Sequence, residues 1–412
     1  MRYLRLLLAV VASLFASSIL SANSVMAQQA DPSDWDSLLT EARGQTVYFN
    51  AWGGADNIND YVAWAGEQVQ ERFGVTLEHV KLSDTGDAVS RVLAEKAAGR
   101  NDGGAIDLIW INGENFAAMK QNGLLIDAPW AEQLPNHGLT AFEDKAVLTM
   151  DFTVPVDGQE APWGTAQFTF YYDSALIDEP PATLEALSEW IAANPGRFTY
   201  AAPPDFIGTT FVKQIALGLI EDASVLYKPA GDADFDVVTA PVWDYLDRIH
   251  PDLWRSGRVF ATDVARLKTL FADGETSLAM TFNPGEASSA ILEGQFQESV
   301  RSFVLDYGSI GNAHFVAIPY NANAKSGAMV VANFLMSPEA QARKADERVW
   351  GDPTVLAYDK LDQEAKALFD AIETGPATLR AEDLGAVLSE PDASWSVALE
   401  EAWLRRYGVA SN

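Results

Sequence analysis

The stretch Thr46–Ile111 reads TVYFNAWGGADNINDYVAWAGEQVQERFGVTLEHVKLSDTGDAVSRVLAEKAAGRNDGGAIDLIWI and changes periodicity several times. Thr46–Asn50 (TVYFN) is rich in β-formers. Ile58, Tyr61, Val62, Ala65, Val69 and Phe73 then recur at helical spacing, and Gly74 closes that helix. Val75–Val80 (VTLEHV) alternates as a strand does. Ala88, Val89, Val92, Leu93 and Ala97 return to the helical period before Gly99, and Asp107–Ile111 (DLIWI) is a compact third strand. Strand–helix–strand–helix–strand implies a parallel sheet covered by helices, the start of an α/β lobe.

Outward from this block the pattern changes and then resumes. Residues 124–165 read as irregular and rich in Pro, Gly and Trp. Gln167–Asp173 (QFTFYYD) reads as a strand that leads into a second αβ series. A helix runs from Thr183, as N-cap, to Ala193. Arg197–Ala201 reads as a strand, Thr209–Leu219 as a helix and Ser277–Phe282 as a strand. His314–Pro319 precedes a helix over Ala324–Leu335. Ser337-Pro338 restarts a helix with Ser as cap and Pro in its first turn. The tail from about 350 to 407 reads as mostly helical.

The N-terminus reads as an export signal: Arg2 and Arg5, an apolar run from Leu6 to Leu20, and Val25-Met26-Ala27 as a cleavage site after Ala27. The run is short for an uncleaved anchor, since a bilayer core needs about 20 apolar residues. The chain has no Cys, which excludes a lipid anchor, thiolate catalysis and Cys-ligated metal sites. An exported chain without disulfides must be stabilised by burial alone. A mature length of about 385 residues exceeds one ordinary core and predicts two domains. The formal charge is −30, and removing the leader with its two arginines makes it more negative still. Such a surface repels nucleic acid and anionic lipid.

Three segments, in order, carry a family resemblance: APWGTAQFTFYYDSALI (Ala161–Ile177), FADGETSLAMTFNPGEA (Phe271–Ala287) and NANAKSGAMVVANFLMSPEAQ (Asn321–Gln341). They resemble the crossover strand, the F-x-x-GE-x-x-M segment and the FL-x-SPEAQ helix of ABC-importer substrate-binding proteins. VYFNAWGG (Val47–Gly54), LSDTGDAVSRVLAEKAAGRNDGGAIDLIWINGENF (Leu82–Phe116) and NPGRFTYAAPPDFIGTTFVKQ (Asn194–Gln214) are similar to the YnjB-type branch, near thiamine-, spermidine- and iron-binding receptors. The resemblance implies an α/β, two-lobed periplasmic-binding-protein fold (type II-like), each lobe a mixed sheet flanked by helices. Beyond the signal peptide at 1–27, it places lobe one at 43–165 plus 310–345, and lobe two at 166–309 plus 346–412. It further implies a monomer in the periplasm that closes on a small-molecule ligand by hinge motion and docks on inner-membrane ABC permease subunits. No enzyme activity, cofactor or metal is expected.

In parallel α/β sheets, ligands collect beyond the C-terminal ends of strands. The residues there are Trp52, Gly53, Gly54 and Asp56 after the first strand, and Asn112, Glu114 and Asn115 after the third. Trp163 precedes the crossover. Asp205, Thr209 and Thr210 stand at a helix start in lobe two, and Asn283 and Glu286 follow the Ser277–Phe282 strand. Polar groups beside aromatic faces suit a small-molecule cleft. Each also has a plainer reading: Asp56 and Asp205 as helix caps, Trp52 and Trp163 as packing, and Glu286 as a solvated first-turn charge. Tyr171-Tyr172 resembles a ferric pair, but adjacent strand residues point to opposite faces. The isolated His79, His137, His250 and His314 supply no ligand cluster.

The four cleft segments 51–60, 112–116, 201–210 and 283–289 hold Asp56, Asp60, Glu114, Asp205 and Glu286, and no Lys or Arg. This favours an organic cation such as a thiamine-like compound or a polyamine, with aromatic faces for its flat or methylated part. An anion remains open through backbone N–H groups at Gly53-Gly54 or Gly208-Thr209. Two other classes compete with transport: an exported glycan-type hydrolase with paired carboxylates, and a sensor that feeds a membrane receptor. The chain lacks the G-x-S-x-G, S-x-x-K triplet, H-E-x-x-H and P-loop motifs.

Overall fold

The computed structural model describes residues 31–143, 145–380 and 383–408; the expected signal peptide at 1–27 lies outside the described residues. The opening block forms α1 (Trp35–Ala42), β1 (Thr46–Trp52), α2 (Asp56–Phe73), β2 (Thr76–Leu82), α3 (Gly86–Ala97), β3 (Leu108–Ile111) and α4 (Gly113–Gln121). Val47, Phe49 and Ala51 alternate inward from β1 and are fully buried. Ile58, Tyr61, Val62, Ala65 and Val69 form the buried stripe of α2, which ends at Gly74 in the left-handed conformation (φ 69°). β1 is parallel to both β2 and β3, as the alternation requires.

The stretch read as irregular holds a short hairpin, β4 (Met150–Asp151) with β5 (Val154–Pro155), and the start of a long strand, β6 (Glu160–Gln167). Then come β7 (Thr169–Asp173), α5 (Leu184–Ala193), α6 (Phe206–Leu219), α7 (Phe235–Ile249), α8 (Val264–Ala272), β8 (Leu278–Thr281), α9 (Glu286–Leu292) and β9 (Val300–Phe303). The chain finishes with β10 (Ser309–Ala317), α10 (Lys325–Leu335), α11 (Pro338–Ala345), α12 (Gln363–Asp370), β11 (Val387–Leu388) and α13 (Ala393–Tyr407). The expected strand at 197–201 does not form a ladder. Ala201 makes a single bridge to Ala261, and the carbonyls of Arg197 and Phe198 accept from Ser277 and Trp254 instead. Its apolar run is buried by tertiary packing rather than by sheet pairing.

The α/β fold has two lobes, each with its own sheet. The first sheet runs β11-β10-β3-β1-β2, with β6 also paired to β10. β10 is antiparallel to β3 and β6, which makes this sheet mixed. The second sheet is β8-β7-β9, with β7 antiparallel to both neighbours. Only Phe168 separates β6 from β7, so one extended crossover passes from sheet to sheet, and β10 begins beside it. The segment after α11 packs on the first lobe. Val355, Leu356, Leu361 and Ala365 share a core with Ile109, Ile111 and Phe116. α13 then returns to the second lobe, where Trp395, Leu399 and Trp403 join Phe170, Phe211 and Trp243. The tail is thus divided between the lobes, with an irregular stretch between α12 and α13 in place of continuous helix.

Candidate functional site

Parallel pairing in the order β2-β1-β3 sets the C-terminal ends of these strands side by side. Trp52 ends β1 and is half-buried. Its indole lies so close over Gly54 that a Cβ there would stand 2.2 Å from the ring, and a Cβ on Gly53 would stand 2.6 Å from the Lys81 side chain. The glycine pair therefore seats Trp52 against the sheet end. Gly53 N–H donates to Leu82 O at 3.0 Å, and Asp56 is exposed in the first turn of α2.

At the third strand end, Asn112 precedes α4 in extended conformation and makes no side-chain cap. Gly113 takes φ 60° and donates its N–H to both oxygens of the buried Asp151, each at 2.8 Å. A Cβ on Gly113 would meet the Phe152 ring at 2.6 Å, so this position needs glycine twice over. Burial pushes the Asp151 carboxyl up to about 8, against the Gly113 N–H and aided by Glu114 and Glu390. Glu114 and Asn115 are half-buried in the first turn of α4. Burial pushes Glu114 up, against the pull of Lys213.

In the second lobe Asp205 caps α6, accepting from Ile207 N–H at 3.0 Å and Gly208 N–H at 3.4 Å. Burial raises its carboxyl to about 6 despite those bonds, with help from Asp263 and Asp84. The buried Thr209 donates its hydroxyl to Glu400 of α13 at 2.8 Å. Burial pushes Glu400 up to about 7; the Thr209 bond and Lys213 oppose the rise, and Glu114 and Asp84 add to it. Asp84 of the first lobe thus lies within electrostatic reach of Asp205 and Glu400 of the second, and Glu114 within reach of Glu400.

One cation enters this group. Lys213 is 1% exposed, pairs with the buried Glu390 at 2.6 Å, and holds its ammonium 4.7 Å from the Phe152 ring centre. Asn312 adds a hydrogen bond to Glu390 at 3.2 Å. Lys213, Glu390 and Glu400 escaped the sequence reading because they lie outside the strand-end segments, and Asp84, just past the end of β2, because the loop after the second strand was not among the segments considered. A signal for Lys213 was present, since a lone Lys in the otherwise apolar helix FIGTTFVKQIALGL implies a buried partner. The lysine-free count of the four segments therefore did not describe the folded cleft.

Other expected residues are committed elsewhere. Trp163 has no solvent exposure; it packs edge-on to Phe49, Trp110 and Trp350, with the Lys344 ammonium 4.1 Å from its ring centre. Thr210 is fully buried and donates to Phe206 O within its own helix. Asn283 donates to Trp350 O at 3.1 Å and accepts from Gly285 N–H. Glu286 accepts from the Thr281 hydroxyl and faces Lys268 at 3.8 Å. The exposed aromatic near the acids is Phe206, which packs on Phe282 at 5.1 Å and is 39% exposed. Tyr171 is buried against Phe271 and Phe296, whereas Tyr172 packs on Phe303. Among the described residues, no three His, Cys, Asp or Glu side chains group to hold a metal ion, and no helix is long and apolar enough to cross a membrane.

Residues 64–358 match the family described as bacterial extracellular solute-binding protein. The chain is 46% identical over 378 residues to Protein YnjB of Escherichia coli (strain K12), covering 92% of this chain and 95% of that protein. Its fold superimposes on a putative spermidine/putrescine ABC transporter from Listeria monocytogenes with a TM-score of 0.60 at 17% identity, covering 88% and 98% of the two chains. It superimposes on the periplasmic binding protein AfuA from Actinobacillus pleuropneumoniae, solved with fructose-6-phosphate, with a TM-score of 0.62 at 13% identity, covering 89% and 99%.

Proposed function

The chain belongs to the bacterial extracellular solute-binding proteins, periplasmic receptors of ABC importers, and on that premise we propose that it captures a small organic cation in the acidic cleft between its lobes. The observation that carries this reading is the imbalance of charge. Asp84 acts on Glu114, Asp205 and Glu400, Glu114 acts on Glu400, and Lys213, the cation that reaches Glu114 and Glu400, is already paired with Glu390. Burial, with neighbouring carboxylates adding to it, raises Glu114, Asp205 and Glu400, and an incoming cation favours their charged forms. Trp52 and Phe206 offer faces for its organic part.

The anion reading loses three of the four backbone N–H groups it named, those of Gly53, Gly208 and Thr209. The N–H groups at the start of α6 are occupied by Asp205, the Gly113 N–H by Asp151, and the Gly53 N–H by Leu82 O. An oxyanion would have to displace a carboxylate to reach the first two of them. The protein then acts as a monomer whose lobes close on the ligand, hands it to the permease and returns it chemically unchanged.

Calorimetry of the mature protein against putrescine, spermidine, thiamine, neutral sugars and sugar phosphates tests this. At least one cation is expected to bind at micromolar strength or tighter. Glu114→Gln and Glu400→Gln should each weaken it about tenfold, the loss of one charge-assisted contact. Selective binding of a sugar phosphate, unaffected by both substitutions, overturns the proposal.

A further inference from the structure

Between β4 and β5 the chain turns in two residues, Phe152 and Thr153. Phe152 holds a positive φ of 53°. Two-residue turns favour glycine at that place, because a side chain there crowds its own backbone. A phenylalanine in this position has to be held by contacts outside the turn. Both turn residues find such contacts on the second lobe.

The hairpin itself belongs to the first lobe. Leu148 and Val156, on either side of it, share the buried core of Ile109 and Phe116. Asp151 accepts the Gly113 N–H at the start of α4. The tip then crosses to the second lobe. The Phe152 ring centre lies 4.7 Å from the ammonium of Lys213 in α6. The Thr153 hydroxyl donates to Asp392 Oδ2 at 2.9 Å. Asp392 is the N-cap of α13 and divides its two oxygens. Its Oδ1 accepts from the Ser394 N–H at 3.0 Å and from the Ser394 hydroxyl at 2.6 Å, which leaves Oδ2 for the other lobe. The start of α13 is rooted in the second lobe by the Asp392 N–H, which donates to Leu226 O at 2.8 Å, and by the buried Trp395.

Both contacts across the lobes involve a charged group, an ammonium on a ring and a carboxylate on a hydroxyl, and Phe152 is 7% exposed. A hydrogen bond and a cation–π contact are short-ranged, so both are made only while the lobes are together. Neither uses Glu114, Asp205 or Glu400 as its partner.

We propose that the hairpin at 150–155 is a latch between the lobes. Phe152 on Lys213 and Thr153 on Asp392 hold part of the ligand-free population closed. Because Asp151 ties the same hairpin to the first turn of α4, the latch also sets where Glu114 stands relative to α6 and α13. Phe152 and Thr153 are positioning residues for the cleft, not ligand contacts. This rests on the two-lobed fold and not on the charge of the ligand.

The chain has no Cys, so spin labels at Ser90→Cys and Ala265→Cys, exposed positions of α3 and α8, report one distance between the lobes. Double electron–electron resonance on ligand-free protein should show a closed form populated beside an open one. Thr153→Val keeps the shape of the side chain and the Asp392 cap but removes the donor. The closed-to-open ratio should fall about fivefold or more, with native circular dichroism. Thr153→Ser retains the hydroxyl and should keep the native ratio. Adding Phe152→Leu to Thr153→Val should lower the ratio about threefold further. No ligand enters the measurement, so its outcome is separate from that of the cation titrations. An open form alone in the native protein, the native ratio in the double variant, or equal shifts in Thr153→Ser and Thr153→Val overturns the proposal.

Discussion

Glu400 accepts from Thr209 and lies in the fields of Glu114, Asp84 and Lys213, with its carboxyl raised to about 7. Below that pH the folded protein holds the group neutral; above it the group is a carboxylate. A cation binds the carboxylate form better, so affinity should rise as pH increases from 6 to 8, and bound ligand should release a proton. Calorimetry in buffers of different ionisation enthalpy measures both effects. Glu400→Gln should flatten the pH dependence over that window, and an unaltered profile in this variant would assign the titration to another group. The neighbouring Lys213 cannot take the ligand's place, because its charge is balanced by Glu390.

The start of α6 combines two roles that a single residue type can supply. Asp205 caps the helix through Ile207 and Gly208, and it also contributes negative charge to the cleft. Substitution separates these roles. Asp205→Ser retains a capping oxygen and should cost only a few tenths of a kcal/mol, whereas Asp205→Ala should lose about 1 kcal/mol of stability. Both should weaken cation binding to a similar degree if the charge matters to the ligand. Denaturant unfolding and calorimetry on the two variants check this; full affinity in Asp205→Ser would reduce Asp205 to a cap. α4 is built in the opposite way: its first N–H is satisfied from outside, by Asp151, and Glu114 remains available to the cleft.

For the whole molecule, buried carboxyls make stability depend on pH with a definite sign. Asp151 is raised to about 8 and Glu400 to about 7, and burial holds Glu160 well above the ordinary range. In the unfolded chain all three ionise near pH 4. From pH 6.5 to 8 the folded protein therefore retains protons that the unfolded chain has released, and stability falls. The slope is up to about 1.4 kcal/mol per pH unit for each retained proton. His250 and His314 act below this window. Burial lowers both to about 4, so the stability they contribute is present above pH 6.5 and lost as pH falls toward 4. Denaturant unfolding of the ligand-free protein should show greater stability at pH 6.5 than at pH 8. Stability that increases from 6.5 to 8 would contradict the burial of these acids.

Elements with a local signature were legible in the chain. The stripe of α2, the alternation of β1, the Gly74 stop and the Ser337 cap of α11 all follow from side chains a few positions apart. The run at 197–201 misled because an apolar stretch states that it is buried, not what its backbone pairs with. The same distinction governs the site. Glu114 and Asp205 could be named from their places at a strand end and a helix start. No local pattern joins them to Asp84, Lys213, Glu390 and Glu400, which reach the cleft from separate elements and both lobes. Nor does composition tell that Trp163 is enclosed while Phe206 is exposed. The sequence by itself determined the elements, their α/β order and the family, because these depend on short-range periodicity and contiguous motifs. Only the tertiary structure decided which charges share the cleft and which lysine is already neutralised, because burial and Coulomb interaction depend on distance in space rather than along the chain.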